Sequence, residues 1–245
     1  MTIAIVSALP EEQHGLVDAM SGARHLRHAG RDFWLGQLHG AEVVCALCGI
    51  GKVAAATTTA ALIERLGVRG IVFTGVAGGL GEGVRVGDIV VASSFLQHDM
   101  DASPIFPRWQ MPGYGRTVVD CDAPMSARLA QAAERALAQG GFADARVHQG
   151  LIASGDRFVS ARAESERLRA DLGGAGHAAL AVEMEGAAVA QACLDYGVPF
   201  AVMRTISDRA DDSAHRDFAE FIRTVASRYA QLVVGQYLLP DLIAA

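Results

Sequence analysis

A short, almost wholly apolar run that stops at a glycine or an acid and gives way to a helical pattern recurs along this chain, and it constrains the fold more than any other feature. TIAIVSAL (2–9), GIVFTGVAGG (70–79), DIVVASSFLQ (88–97), VHQGLIASG (147–155), AALAV (178–182) and PFAVMRTIS (199–207) read as strands. Runs this apolar belong to a sheet covered on both faces. FWLGQLHG (33–40) and AEVVCALCGI (41–50) read as a further pair of strands. Helical patterns occupy 11–20, 52–66, 126–139, 161–172 and 186–196. A C-terminal helix carries Phe218, Phe221, Ile222, Val225, Leu232 and Val233 on one stripe. Strands alternating with helices predict an α/β fold: a single domain over 1–245, with a mixed central β-sheet flanked by helices. Residues 99–117 (DMDASPIFPRWQMPGYGRT) follow neither period and predict a long loop of the kind that serves function or an interface.

Composition narrows the function classes. With 27 glycines against 7 prolines in 245 residues, the chain suits tight strand–helix turns around one core. A formal net charge of −6 and no basic stripe argue against nucleic acid as a partner. The first apolar run is too short to span a membrane and has no basic residue ahead of it, so the expectation is a cytoplasmic protein without membrane association. Cys45, Cys48, Cys121 and Cys193 do not make a disulfide framework in a chain of this size. Cys45 and Cys48 form a CxxC, but positions three apart on a strand face opposite sides, so both read as buried apolar thiols.

Two glycine turns imitate nucleotide motifs. GIGKVA (49–54) follows a strand and opens a helix, yet the next strand ends in Phe73-Thr74-Gly75 without the acid a dinucleotide site needs. Val53 stands where a P-loop carries the Ser or Thr that holds magnesium. The turn reads instead as backbone brought close to a small ligand. TGVAGG (74–79) repeats the device and can offer backbone N–H groups from Val76 through Gly79. His98-Asp99-x-Asp101 has the look of a metal cluster but no further ligand at useful spacing, and it reads as structural hydrogen bonding.

The acids carry more. Glu11 and Glu12 follow the first strand, Glu183 and Glu185 follow AALAV, and Asp208 follows PFAVMRTIS. An open sheet gathers its ligands at the carboxyl ends of its strands. Several acids, one arginine (Arg204) and no cysteine or histidine nucleophile suit cleavage through a cationic transition state. Glycosidic bonds break that way, one carboxyl protonating the leaving group and another activating water.

From Ile5 to about Phe221 the chain resembles the 5'-methylthioadenosine/S-adenosylhomocysteine nucleosidases, within the wider purine nucleoside phosphorylase fold. The motifs that carry the resemblance are SALPEE (7–12), GIGKVAAA (49–56), TGVAGG (74–79), VGDIVV (86–91), QHDMDA (97–102), ASGDRF (153–158), VEMEGAAVA (182–190) and RTISDRAD (204–211). The resemblance implies a nucleoside phosphorylase-like three-layer sandwich that hydrolyses a 5'-modified adenosine, such as methylthioadenosine or S-adenosylhomocysteine, and releases adenine. It implies that Glu12 takes a proton from the attacking water and that Asp208, helped by Ser207, protonates adenine at N7. It implies that Glu185 holds the ribose hydroxyls beside Met184, with Glu183 nearby in a smaller role. Phe158 stacks on the purine, and the backbone at Phe158 and Val159 reads its edge. Val76 and Gly78 border the substrate, Arg204 helps place the water, and Ile50 and Phe218 line the 5'-substituent pocket. No metal or organic cofactor is implied. A homodimer is, with the 99–117 loop at the interface.

Two departures from the family pattern bear on substrate choice. Val76 replaces a common Ser or Thr, leaving Glu12 and Arg204 to position the water. In the loop, Ile105, Phe106 and Trp109 are candidates to close over the 5'-group, and Arg108 is a candidate to meet a polar or acidic one. Adenosine, 5'-deoxyadenosine and aminodeoxyfutalosine therefore stay open as alternative substrates. A phosphorylase on the same fold is the runner-up, but Glu11-Glu12 after the first strand would repel phosphate. A non-catalytic nucleoside sensor would be expected to lose Glu12 or Asp208, and both are present.

Overall fold

Each apolar run becomes a strand, and successive buried residues of a strand face opposite sides of the sheet, into one core under α2 and α5 and, across it, into cores under α3 and α7 or under α4. The computed structural model describes residues 2–142 and 144–239. The expected span of 1–245 thus includes positions 1, 143 and 240–245, which lie outside the described residues. In chain order the elements are β1 (Ile3–Ser7), α1 (Pro10–Gln13), β2 (Ser21–His28), β3 (Arg31–Leu38), β4 (Ala41–Leu47), α2 (Lys52–Leu66), β5 (Gly70–Gly79) and β6 (Ile89–Gln97). There follow β7 (Val118–Asp120), α3 (Ala123–Gly140), β8 (Val147–Ser154), α4 (Arg162–Gly174), β9 (Ala179–Glu183), α5 (Gly186–Tyr196), β10 (Phe200–Asp208), α6 (Ala214–Thr224) and α7 (Ala226–Leu238).

On β1, Ala4 and Val6 join the core packed by α2 and α5, while Ile5 between them joins the core packed by α3 and α7. The same alternation puts Cys45 in one core and Cys48 in the other, both as buried free thiols. Burial holds the Cys45 thiol up at about 12 and raises Cys48 as well, so neither is a thiolate at neutral pH.

The sheet is mixed, as expected. β1 pairs in parallel with β4 and β5, and β10 with β5, while β10–β6 and β9–β5 are antiparallel. Five strands close on one another: β5 to β10, β10 to β6, β6 to β8, β8 to β9, and β9 back to β5 through Gly78 and Gly79. β1, β4, β3 and β2 extend from β5 as an open continuation of the sheet.

Three expectations need correction. The helix over 11–20 is a single turn, because His14 already leaves helical geometry (φ −52°, ψ 131°) and its carbonyl accepts from Gln231 Nε2 on α7 at 2.7 Å. The single C-terminal helix is two, broken at Val225 (φ −127°, ψ −38°). β2 escapes the apolar pattern because almost all of it is exposed. The 99–117 segment has no helix and, before β7, no strand; one bridge, Met111 to Arg116, ties it. No helix among the described residues is long and apolar enough to cross a membrane.

Candidate active site

β1, β5 and β10 run parallel side by side, so their carboxyl ends open on the same side of the sheet. The turn after β1 lifts Glu12 into α1, where it is buried at 3% exposure. Its Oε2 accepts the N–H groups of Ala8 (2.8 Å) and Leu9 (2.9 Å), and its Oε1 accepts that of Val76 (3.1 Å). Burial raises its pKa above the ordinary carboxyl value, while the Arg204 guanidinium and the three N–H groups pull it back. A carboxylate so placed is a stronger base than one in water.

Arg204, 1% exposed near the end of β10, organises the acids. Its Nη2 donates to Glu183 Oε2 at 2.6 Å and lies 3.8 Å from Glu185 Oε2. The guanidinium stacks 4.0 Å over the Phe73 ring. Its Nη1 is buried and has no hydrogen-bond partner among the described residues. A Cβ added at Gly75 would stand 2.6 Å from that Nη1 and 3.0 Å from Glu12 Oε1. The free donor and the base therefore converge over Gly75, where only a glycine leaves room.

Glu183 has its lone pairs occupied. Its Oε1 accepts the Ser154 hydroxyl, its Oε2 accepts Arg204 and the Glu185 N–H, and both oxygens accept the Gly186 N–H that starts α5. It anchors Arg204 and the helix start. Glu185 is freer: Oε1 accepts the Gly51 N–H at 2.8 Å, and Oε2 has only the distant Arg204. Burial and then the Glu183 charge push the Glu185 carboxyl up. One guanidinium cannot neutralise three buried carboxylates.

Asp208 ends β10 at 1% exposure. Its Oδ2 accepts the Ser207 hydroxyl at 2.8 Å and its Oδ1 the Ala210 N–H at 2.8 Å. Burial raises its pKa, and the charges of Asp211 and Asp217 add to the rise. This is the environment of a carboxyl that keeps a proton.

These groups surround a cavity of about 380 Å³, within the range of small-molecule sites. Of the residues singled out in the sequence, Glu12, Ile50, Val76, Gly78, Phe158, Glu183, Met184, Glu185, Ser207, Asp208 and Phe218 line it. Val159 does not; it borders an adjoining recess together with Phe158 and Asp208. Arg204 is not part of the lining. Phe158 meets Phe218 edge-on at 5.6 Å and His215 at 5.2 Å, so α6 is seated on the Phe158 ring. Sequence reasoning missed His215; it precedes Phe218 by three positions, hence the same helix face, which was the available signal. Ala8, Leu9, Ala77 and Val182 also line the cavity, all inside motifs already noted.

The loop expectations fail for two side chains. Trp109 is 6% exposed and donates from Nε1 to the His98 carbonyl at 3.0 Å, so it is core rather than lid. Arg108 lies over Trp109 and donates to Asp171 on α4 at 3.1 Å, and it does not line the cavity. Ile105 and Phe106 do not line this chain's own cavity. Asp99 and Asp101 are hydrogen-bonded as expected, but His98 Nε2 is buried without a partner among the described residues. No group of three or more His, Cys, Asp or Glu among the described residues is arranged to hold a metal.

A family model described as the phosphorylase superfamily matches residues 2–237. A 5'-methylthioadenosine/S-adenosylhomocysteine nucleosidase of Colwellia psychrerythraea is 37% identical over 236 residues, covering 96% of this chain and 95% of that protein. The crystal structure of the nucleosidase of the same designation from Neisseria meningitidis, in complex with methylthio-immucillin-A, matches with a TM-score of 0.85 at 35% identity, covering 96% of this chain and 97% of that one. A futalosine hydrolase mutant of Helicobacter pylori strain 26695 matches with a TM-score of 0.84 at 31% identity, covering 96% and 98%.

Proposed function

This chain belongs to the 5'-methylthioadenosine/S-adenosylhomocysteine nucleosidase family of the phosphorylase superfamily, and from that membership we infer that Glu12 and Asp208 divide the acid–base work of nucleoside hydrolysis between them. The protein is a purine nucleosidase that cleaves the N-glycosidic bond of adenosine-based nucleosides with water. The observation that best supports the residue roles is the convergence of Glu12 Oε1 and the unpaired Arg204 Nη1 over Gly75. A water held there has an acceptor for its proton and a donor for its oxygen.

In this reading Asp208 gives its proton to N7 of the purine as the C1'–N9 bond breaks, and the bonding electrons leave with a neutral base. Positive charge then spreads over C1' and the ring oxygen of the sugar. Glu12 and Glu185 stabilise that charge in a site with little water to screen it. Water bonded to C1' loses its proton to Glu12, and exchange with solvent returns one proton to Asp208 and removes the other from Glu12. Glu185 Oε2 takes the ribose hydroxyls beside Met184. Phe158 stacks on the base, with Val159 at its edge, and Ser207 orients Asp208. Ile50 and Phe218 give the 5'-side an apolar wall suited to an alkylthio group. Val76 and Gly78 complete the wall along β5. No metal or organic cofactor enters any step.

The purified protein is expected to release adenine from methylthioadenosine and S-adenosylhomocysteine without phosphate, read by chromatography of the free base. Release only when phosphate is present, with ribose 1-phosphate products, would overturn the water-activating role of Glu12. Inosine and futalosine belong in the same assay, because a futalosine hydrolase is among the similar structures. Preferential cleavage of futalosine would replace the alkylthio reading of the 5'-side.

The reading extends to a homodimer with residues 99–117 at the interface. Ile50 (57%), Val53 (75%) and Ile105 (82%) are large apolar side chains left exposed in the single chain, and a second copy would cover them. Light scattering is expected to return twice the chain mass; a monomer at assay concentration would reject this part.

A further inference from the structure

Helix α2 begins without a capping side chain of its own. Its N-cap is Gly51 (φ +96°), and a Cβ there would stand 3.0 Å from Asp156 Oδ1. Two carboxylates from distant parts of the chain take the place of a local cap. The Gly51 N–H donates to Glu185 Oε1 at 2.8 Å, and the Lys52 N–H donates to Asp156 Oδ1 at 2.7 Å. Both profit from the positive end of a 15-residue helix.

A second set of bonds locks the Asp156 side. Lys52 Nζ donates to Asp99 Oδ1 at 2.6 Å and to Gln97 Oε1 at 3.1 Å, and the Asp156 N–H donates to Asp99 Oδ2 at 2.9 Å. The Lys52 and Asp99 side chains are 17% and 32% exposed. Asp99 is held below the ordinary carboxyl value by these donors against the opposing effect of burial. Gln97 is tied in turn to Gln191 on α5, the helix that Glu185 precedes. Two residues after Asp156 comes Phe158, on the base side of the cavity, while Glu185 stands on the sugar side and Ile50 lines the wall beside them.

We propose that Asp156 and Lys52 are positioning residues: through the first turn of α2 they hold the ribose carboxylate Glu185 and the base-side segment 156–159 at one fixed spacing, so that the site grips an intact nucleoside more tightly than its separated halves. The proposal rests on the sugar and base assignments above. Neither residue is a catalytic residue; each acts through Gly51–Glu185 or through the Phe158 segment. A free base engages one side of this frame only, so a rigid frame favours the substrate over the adenine product without any new contact.

The test compares Asp156→Ala, Asp156→Asn and Lys52→Met with wild type, reading KM and kcat for methylthioadenosine and the inhibition constant of free adenine. Losing a helix cap at this strength predicts that Asp156→Ala raises KM about 5- to 30-fold while the adenine constant moves less than about twofold. Asp156→Asn keeps an acceptor oxygen for the Lys52 N–H and is expected to recover most of the loss. In a Glu185→Ala background the Asp156→Ala effect on KM is expected to shrink, since only the base-side segment then remains to be positioned. An adenine constant that rises in step with KM, additivity with Glu185→Ala, or an unchanged KM would each overturn the proposal. If Asp156→Ala does not fold, the same readouts on Asp156→Asn and Lys52→Met decide it, with Lys52→Met expected to split KM from the adenine constant. Wild-type release of adenine without phosphate, together with a raised KM in Glu185→Ala alone, establishes the parent reading independently, so a flat result in the Asp156 and Lys52 variants would sink this inference alone.

Discussion

Asp208→Asn lowers kcat for adenine release by about 100- to 10,000-fold, the range general acid catalysis supplies, and changes KM little. Asparagine keeps the shape, and its oxygen still accepts the Ala210 N–H, but it has no proton to give to N7. The wild-type pH profile should carry the same signature. Asp208 works protonated with a raised pKa, so activity is lost as pH rises through that raised value. Glu12 works ionised, also with a raised pKa, so activity is lost as pH falls through it. Stability moves the other way in the variant. A carboxyl whose folded pKa lies above its unfolded value stabilises fully below the unfolded value and loses that contribution as pH rises through the folded one. From the ordinary aspartate value of 3.8 upward, wild type therefore loses stability that the neutral asparagine does not. Melting curves at acidic and neutral pH should show Asp208→Asn gaining on wild type as pH rises. Retention of kcat within about threefold would reject the acid role.

Arg204→Met unfolds the site before it slows it. Methionine fills much of the arginine stem, yet Glu12, Glu183 and Glu185 then face one another without their shared cation. Removing one partner of a buried charge cluster costs about 3–5 kcal/mol, which for a chain of this size lowers Tm by roughly 6–20 °C. The deficit is expected to shrink at lower pH, where the crowded carboxyls, their pKa values lifted further, take up protons and become neutral. Turnover is lost together with the donor for the water. A variant melting within about 2 °C of wild type at neutral pH would mean that the carboxyls are already neutral without the arginine.

The acids of the site were legible because chemistry concentrates where apolar strands end. Glu12 lies five residues past β1, Glu185 two past β9, and Asp208 is the last residue of β10, and that adjacency is local in sequence. What joins them is not local. The return of β9 to β5 depends on a pairing of Gly78 with Val182, more than a hundred positions away, which no periodicity announces. β2 lacked an apolar face to read, and α1 was cut short by Gln231, a side chain from the far end of the chain. Trp109 and Arg108 misled for a related reason. An aromatic and a cation in an irregular loop suggest a ligand, but the His98 carbonyl and Asp171 had already taken them. The glycines at 49 and 51 were legible as a tight turn opening a helix; that this helix borrows its cap from Glu185 and Asp156 appears only in three dimensions.

The closing of β5, β10, β6, β8 and β9 on one another has a consequence for how these molecules behave in a crowd. Strands inside a ring have no unpaired backbone to offer a neighbour, so the risk of ladder-to-ladder aggregation falls on the strands outside it. Among the described residues β7 is only three residues long, and β2 is the long free edge. Four of the eight residues of β2 are Arg24, His25, Arg27 and His28, and it lies almost wholly in solvent. Two such edges brought together would set arginine against arginine, so the strand that hides least is also the one least able to template another.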